Sequence, residues 1–342
     1  MTSHIPDKAP DTRATRGRWQ PAWRVAQPVL LAITLFYVAR AFYLRWDDVR
    51  DAARTSDAHW GWILLSSAIV LGTYAVLVES WRLIIRSTGG AIRYAVAVQI
   101  WTAANLGRYL PGKVWSVGAL GVLAQREGVP GWTAAGAAII GTVLNIGAGF
   151  GVAVLAATGS LDAMPGYIRA GAIVGTILFV LGMLALPWLM PVAVTLLTRM
   201  MRNKTPVVLP SLSVLWIAAI INACAWLSYG IAFAFFARGA TPAVTGSPML
   251  FVAVFTASYL AGYLFLFAPG GLGIREGALV ALLVSFKMAS FGDATLLSLL
   301  SRLWLTVLEI VPGLAGLLML TIRARRAAAP ATVANPLNST KP

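Results

Sequence analysis

The chain carries one cysteine and two histidines in 342 residues, and its 12 acidic side chains are outnumbered by 27 lysines and arginines. A lone Cys224, set inside an apolar run, forms no internal disulfide and no cysteine metal cluster. With only His4 and His59, zinc sites and histidine triads lack ligands and bases. No complete Walker signature, which ends Lys-Ser/Thr, is present. The expectation is no catalytic residue, no metal and no cofactor. Intramembrane proton relays are built from Asp, Glu and His, and these too are few.

What is abundant is apolar sequence. Hydrophobic residues make up 58% of the chain and charged residues 11%, and the mean hydropathy is +0.77. Runs long enough for the roughly 20 helical residues that cross a bilayer occur at Val25–Leu44, Trp60–Ser80, Trp132–Ala157, Ile168–Met190, Leu212–Ala237 and Ala294–Ile322. They do not alternate in polarity, which excludes a β-barrel reading. The formal net charge of +15 sits largely in short flanks of these runs, as topology signals do, so nucleic acid is not an expected partner. The arm holding Lys8, Arg13, Arg16, Arg18 and Arg24 is long for a signal peptide, and the first run is read as a retained helix.

Two regions, Ala91–Ala124 and Met249–Ser290, are interrupted by Pro-Gly. The first contains Arg108-Tyr-Leu-Pro111-Gly112-Lys113-Val-Trp115, the second Ala268-Pro269-Gly270-Gly271-Leu-Gly273-Ile-Arg275-Glu276. Proline removes a donor and glycine opens conformations closed to other residues, so freed backbone groups must find partners in protein or a wet cavity. Basic flanks at Arg82, Arg86, Arg93, Arg126, Arg199, Arg202, Lys204 and Arg323 mark the cytoplasmic side, whereas Gly159–Gly166 and Gly239–Pro248 hold no Lys or Arg and face outward. Parity then makes the first region a hairpin entering from the cytoplasm and the second a hairpin entering from the opposite face. Each is either re-entrant or two further spans. Paired interruptions of this kind are what an inverted repeat produces, with a binding site near the midplane.

The expected fold class is all-α: a polytopic helical membrane protein with about six full spans plus two Pro-Gly-broken hairpins. Residues 1–24 form a basic cytoplasmic arm, 25–322 a single transmembrane domain, and 323–342 a basic, then disordered, cytoplasmic tail. Arg82, Arg86 and Arg199 are read as cations snorkelling from helix ends, with Glu79 pairing with Arg82 or Arg86. Asn145 and Asn222 lie within spans and are read as interhelical hydrogen-bonding groups. Glu276 cannot face its neighbour Arg275 on a helix, so Arg302 or Arg108 is its expected partner. Arg302 and Glu309 share a face of the last helix, as Thr102, Asn105 and Arg108 do before the first break. The cationic surplus at the breaks suits an anionic headgroup such as a phosphate or carboxylate, for which arginine's planar fork is apt. Arg275, Arg108, Lys113 and Arg302 are the candidate headgroup-binding residues, with Glu276, Glu309 and Asn105 supporting. Pro111, Gly112, Pro269, Gly270, Gly271 and Gly273 make the breaks.

Asn105-Leu-Gly-Arg-Tyr-Leu-Pro-Gly-Lys-Val-Trp115, Arg126-Glu-Gly128, Ser80-Trp-Arg-Leu-Ile-Ile-Arg-Ser-Thr-Gly89 and above all Ala268-Pro-Gly-Gly-Leu-Gly-Ile-Arg-Glu-Gly277 resemble the lysylphosphatidylglycerol synthase transmembrane region, or flippase-like domain. One position departs: Asn145 stands where many members carry a glutamate. The resemblance covers roughly Val25–Ile322. It implies lipid handling: movement of aminoacylated phospholipid between leaflets in bifunctional synthases, hopanoid or glycolipid pathways in others. The expected location is a bacterial plasma membrane, and the basic flanks put both termini on the cytoplasmic side. The short tail after Ile322 leaves no room in this sequence for the soluble aminoacyl-transferase domain, so a lysyltransferase name would describe the domain and not an activity. The leading expectation is a transporter-like protein for an anionic phospholipid, aminoacyl-phospholipid, hopanoid or lipid-linked sugar. Its alternatives are a non-transporting scaffold partnered with a lipid or envelope biosynthetic enzyme, and an integral glycosyl- or aminoacyl-transferase.

Overall fold

A computed structural model describes residues 58–109, 114–158, 209–265 and 271–328 continuously, with a few positions between 47 and 54 and between 166 and 185. The expected first span, the C-terminal end of Ile168–Met190 with Ile168 and two isolated positions within that run, most of both termini and the break residues Pro111, Gly112, Lys113, Pro269 and Gly270 lie outside the described residues. The described bundle is built on α1 (Trp60–Ser87), α2 (Tyr94–Asn105), α3 (Val114–Gln125), α4 (Gly131–Ala156), α5 (Leu212–Ala240), α6 (Pro248–Leu264), α7 (Ile274–Ser285) and α8 (Phe291–Ala328), with a 3-10 turn at Leu106–Tyr109. There is no strand among the described residues.

Four helices, α1, α4, α5 and α8, are long and apolar enough to cross a membrane. These match four of the six expected spans. The hairpin limbs are shorter: α2, α3 and α7 have 12 residues each and α6 has 17. At 1.5 Å per residue they measure about 18 and 25 Å, against roughly 30 Å of hydrocarbon. Local chemistry sets their ends. Ser211 and Ser247 cap α5 and α6 by accepting from the amides of Val214 and Leu250, and Pro248 occupies the first turn of α6.

The packing is reciprocal between the two halves. α1 lies against α5; α4, which follows the first hairpin, packs on the first limb of the second; α8, which follows the second, packs on the first limb of the first. Two apolar cores result. One surrounds Ile84, Ile85, Ile100, Leu144 and Leu215 beside the first hairpin; the other surrounds Phe233, Phe251, Phe255, Leu279 and Leu297 beside the second.

Polar side chains stitch the bundle between these cores. Asn145 Nδ2 donates to Asn222 Oδ1 at 2.9 Å, and Asn222 Nδ2 donates to Ser80 Oγ at 3.3 Å, so α4, α5 and α1 are linked as the sequence suggested. Replacing Asn222 by leucine is expected to cost about 1–2 kcal/mol, read as a lowered denaturation midpoint in detergent. Arg82 corrects the snorkelling reading. It is 7% exposed, its guanidinium donates to Glu79 at 2.8 Å and it lies over the Tyr94 ring, so it is a packed ion pair and not a cation reaching for water. The more exposed Arg86 shares the same glutamate at 3.8 Å.

Candidate functional site

The site forms where the broken hairpins meet α8. On the first hairpin, α2 tightens into the 3-10 turn as the chain approaches a proline that cannot continue it. A Cβ at Gly107 would lie 2.8 Å from the Ser116 nitrogen, so only glycine lets the turn fold this closely onto α3. The spacing from Gly107 to Lys113 matches that of a phosphate loop, but Val114 stands where a Mg²⁺-binding hydroxyl is required and the turn follows a helix.

The turn presents Arg108 and Tyr109 to α8. Arg108 Nη1 donates to Glu309 Oε1, and also to the Tyr259 hydroxyl at 3.3 Å; the Tyr109 hydroxyl donates to Glu309 Oε2 at 2.6 Å. Both carboxylate oxygens of Glu309 are therefore engaged by the first hairpin. A glycine seam permits the approach. A Cβ at Gly313 would fall 2.6 Å from Leu106 Cδ2, and one at Gly316 would fall 2.7 Å from the Gln99 carbonyl oxygen. Gly316→Leu is expected to pry α2 from α8 and cost about 1–3 kcal/mol by overpacking, visible in the denaturation midpoint.

On the second hairpin, Gly271 and Gly273 adopt φ of 70° and 83°, a region that penalises any Cβ. They turn the chain into α7, where Glu276 Oε2 accepts from the Gly273 amide at 2.7 Å and caps the helix. The other oxygen, Oε1, accepts from Arg302 Nη1 at 3.4 Å. Of the two expected partners Glu276 thus takes Arg302, while Arg108 goes to Glu309.

Arg275 differs from the other two arginines. It is 5% exposed, its guanidinium carbon lies 4.7 Å from the Tyr259 ring centre and 5.6 Å from that of Phe255, and its buried Nη2 has no hydrogen-bond partner. Among the described residues no carboxylate lies within salt-bridge distance of it. Three arginines thus face two glutamates, and the unmatched charge is on Arg275. Gly262 backs it closely: a Cβ there would lie 2.7 Å from Arg275 Cβ. Gly262→Ala should push the guanidinium off the Tyr259 ring at a cost of about 1–3 kcal/mol. A lowered denaturation midpoint in detergent is the readout.

Arg275, Arg302, Glu309, Tyr109 and Arg108 line one cavity of about 100 Å³, to which both hairpins contribute. A second, of about 190 Å³, extends from Arg108 and Glu309 along Asn105 to Asn145 and Asn222. Arg108, Ser116, Tyr259, Tyr263, Leu305 and Glu309 belong to both. Of the sequence-derived candidates, Arg275, Arg108, Arg302, Glu309 and Asn105 therefore reach these two cavities, and Gly271 and Gly273 make the turn. Glu276 acts one step back through Arg302. Sequence reasoning missed Tyr109, Tyr259 and the Gly313/Gly316 seam. Tyrosines inside apolar runs, and the pair Tyr259 and Tyr263 one turn apart, were the available signal.

Long apolar helices, short broken limbs and a charged cavity between them define a polytopic helical membrane protein with an internal polar site. Residues 27–328 match the model of the family described as the lysylphosphatidylglycerol synthase TM region, and the chain belongs to that family. No curated protein matches the chain.

Proposed function

We propose that this protein binds the anionic headgroup of a membrane lipid between its two broken hairpins and moves it between the leaflets of a bacterial plasma membrane. Arg275 carries the proposal. A buried guanidinium with no counter-ion among the described residues is costly at membrane depth, and a phosphate or carboxylate would supply the partner that those residues do not. Arg108 is the second contact, available when Glu309 yields it; Lys113 and Arg302 tune the local charge. Glu276, Glu309 and Asn105 hold or line the site, and the glycines of the breaks let backbone approach it. Hairpin limbs shorter than a bilayer support re-entrant entry from opposite faces, and the reciprocal packing supports an inverted repeat. Both termini are then cytoplasmic.

Converging charge favours this reading over an inert scaffold, for which an apolar groove would suffice. A transferase needs a free carboxylate base, whereas Glu276 and Glu309 each accept from an arginine. The test is reconstitution into liposomes with a leaflet-resolved assay of several anionic lipids. Faster exchange than in protein-free liposomes is expected; folded protein that moves none of them rejects transport.

A further inference from the structure

The larger cavity differs in chemistry from the charged one beside it. Its wall is a run of touching rings: Trp101 lies 5.7 Å from Tyr74, Tyr74 6.1 Å from Tyr229, Tyr229 6.2 Å from Trp226 and Trp226 5.5 Å from Tyr259, centre to centre. Facing these rings are neutral polar groups with spare capacity. The Asn105 carboxamide and the hydroxyls of Tyr74, Tyr229, Ser116 and Thr142 line the cavity and make no hydrogen bond to the described protein, and Asn145 commits only its Nδ2. Among the described residues the charged lining is confined to Arg108 and Glu309, and both oxygens of Glu309 are taken. An ammonium group entering here would meet Arg108 and no free carboxylate. A ring or chain bearing several hydroxyls would set its C–H faces on the aromatic wall and its O–H groups on the carboxamide and hydroxyls. At about 190 Å³ the space suits one small headgroup and not a drug-sized ligand.

We infer that this cavity is a subsite for a neutral polyhydroxylated group, a sugar ring or cyclic polyol, joined through phosphate to the anion held at Arg275. The inference rests on the Arg275 reading and extends it: phosphate at Arg275 and Arg108, hydroxyls toward Asn105 and Tyr229. The headgroup is thus neutral beyond its phosphate, not aminoacylated.

The test uses the full chain in phosphatidylcholine nanodiscs. Quenching of tryptophan fluorescence reports binding of glucose 1-phosphate, inositol 1-phosphate, phosphoethanolamine and inorganic phosphate. The two polyol phosphates are expected to bind about tenfold more tightly than the other two. Thr142→Val and Tyr229→Phe, both confined to the larger cavity, should erase that preference and leave inorganic phosphate binding unchanged. Phosphoethanolamine binding as tightly as glucose 1-phosphate, or a preference that survives both substitutions, overturns the subsite. Arg275→Met separates the two readings: it should weaken all four probes, and probes that bind it as they bind wild type reject the Arg275 site itself. Phosphatidylinositol added to the nanodiscs should compete with inositol 1-phosphate. Soluble probes that bind without lipid competition assign the site to a free sugar phosphate and overturn the lipid-headgroup form of the inference.

Discussion

Replacing Arg275 by methionine is expected to stabilise the protein while abolishing lipid movement. The two side chains are similar in length and their stems pack alike, so little cavity opens. What is removed is a desolvated charge with no carboxylate partner among the described residues and an orphaned Nη2. Replacing even a paired buried charge by apolar side chains of similar volume is neutral or stabilising by about 1–4 kcal/mol, and Arg275 has no such pair among the described residues to lose. Against this stands the stacking of the guanidinium on Tyr259 and Phe255, about 0.5–2 kcal/mol. The balance favours methionine by about 1–2 kcal/mol, seen as a higher denaturation midpoint in neutral detergent. Anionic lipid should reverse the order. A ligand at 100 times its dissociation constant adds about 2.7 kcal/mol to a protein that binds it, and only wild type should gain. Leaflet exchange by the variant should match that of protein-free liposomes. A residue kept at a cost to stability and essential to activity is the pattern expected of a binding group.

The second large effect concerns Arg108 and Glu309. Glu309→Leu alone should destabilise by about 2–4 kcal/mol, because it strands the Arg108 guanidinium and leaves the Tyr109 hydroxyl without its acceptor. The estimate sits below the fully buried case because the Arg108 side chain is 32% exposed, on the cavity side. Arg108→Met combined with Glu309→Leu should recover the part of that loss due to the stranded guanidinium, since an apolar pair of similar volume replaces an ionic one, while the Tyr109 hydroxyl still lacks its acceptor. Their non-additivity in a double-mutant cycle measures the coupling. Both the single and the double variant should fail to move lipid, so restored stability without restored activity separates the role of Arg108 in the site from its role in holding the hairpin to α8.

Some of this arrangement was legible in residue order and some was not. Long apolar runs show as spans because burial in lipid needs length and composition alone, and α1, α4, α5 and α8 coincide with four of them. Pro-Gly breaks are equally local. The partner of Glu276 could be narrowed to two arginines because helix geometry forbids contact with its neighbour. Which arginine it takes depends on how α7 and α8 meet, and no local pattern contains that. The pairing of Arg108 with Glu309 joins residues 201 positions apart and follows from the Gly313/Gly316 seam, which reads locally as small residues in an ordinary apolar helix. Arg82 looked like an interfacial cation because its helix position fits snorkelling. In the fold its guanidinium instead lies over the Tyr94 ring of the next element and pairs with Glu79. The aromatic wall is drawn from α1, α2, α5 and α6, so it exists only after the two halves pack.

The central claim is that Arg275 awaits an anionic headgroup between the hairpins. Native mass spectrometry of the protein released from nanodiscs of mixed anionic and zwitterionic lipid tests it most directly. Wild type should retain a single anionic phospholipid per chain through increasing collisional activation, and Arg275→Met should lose it at the lowest energies. Equal retention by the two proteins, or retention of zwitterionic lipid in its place, would contradict the account.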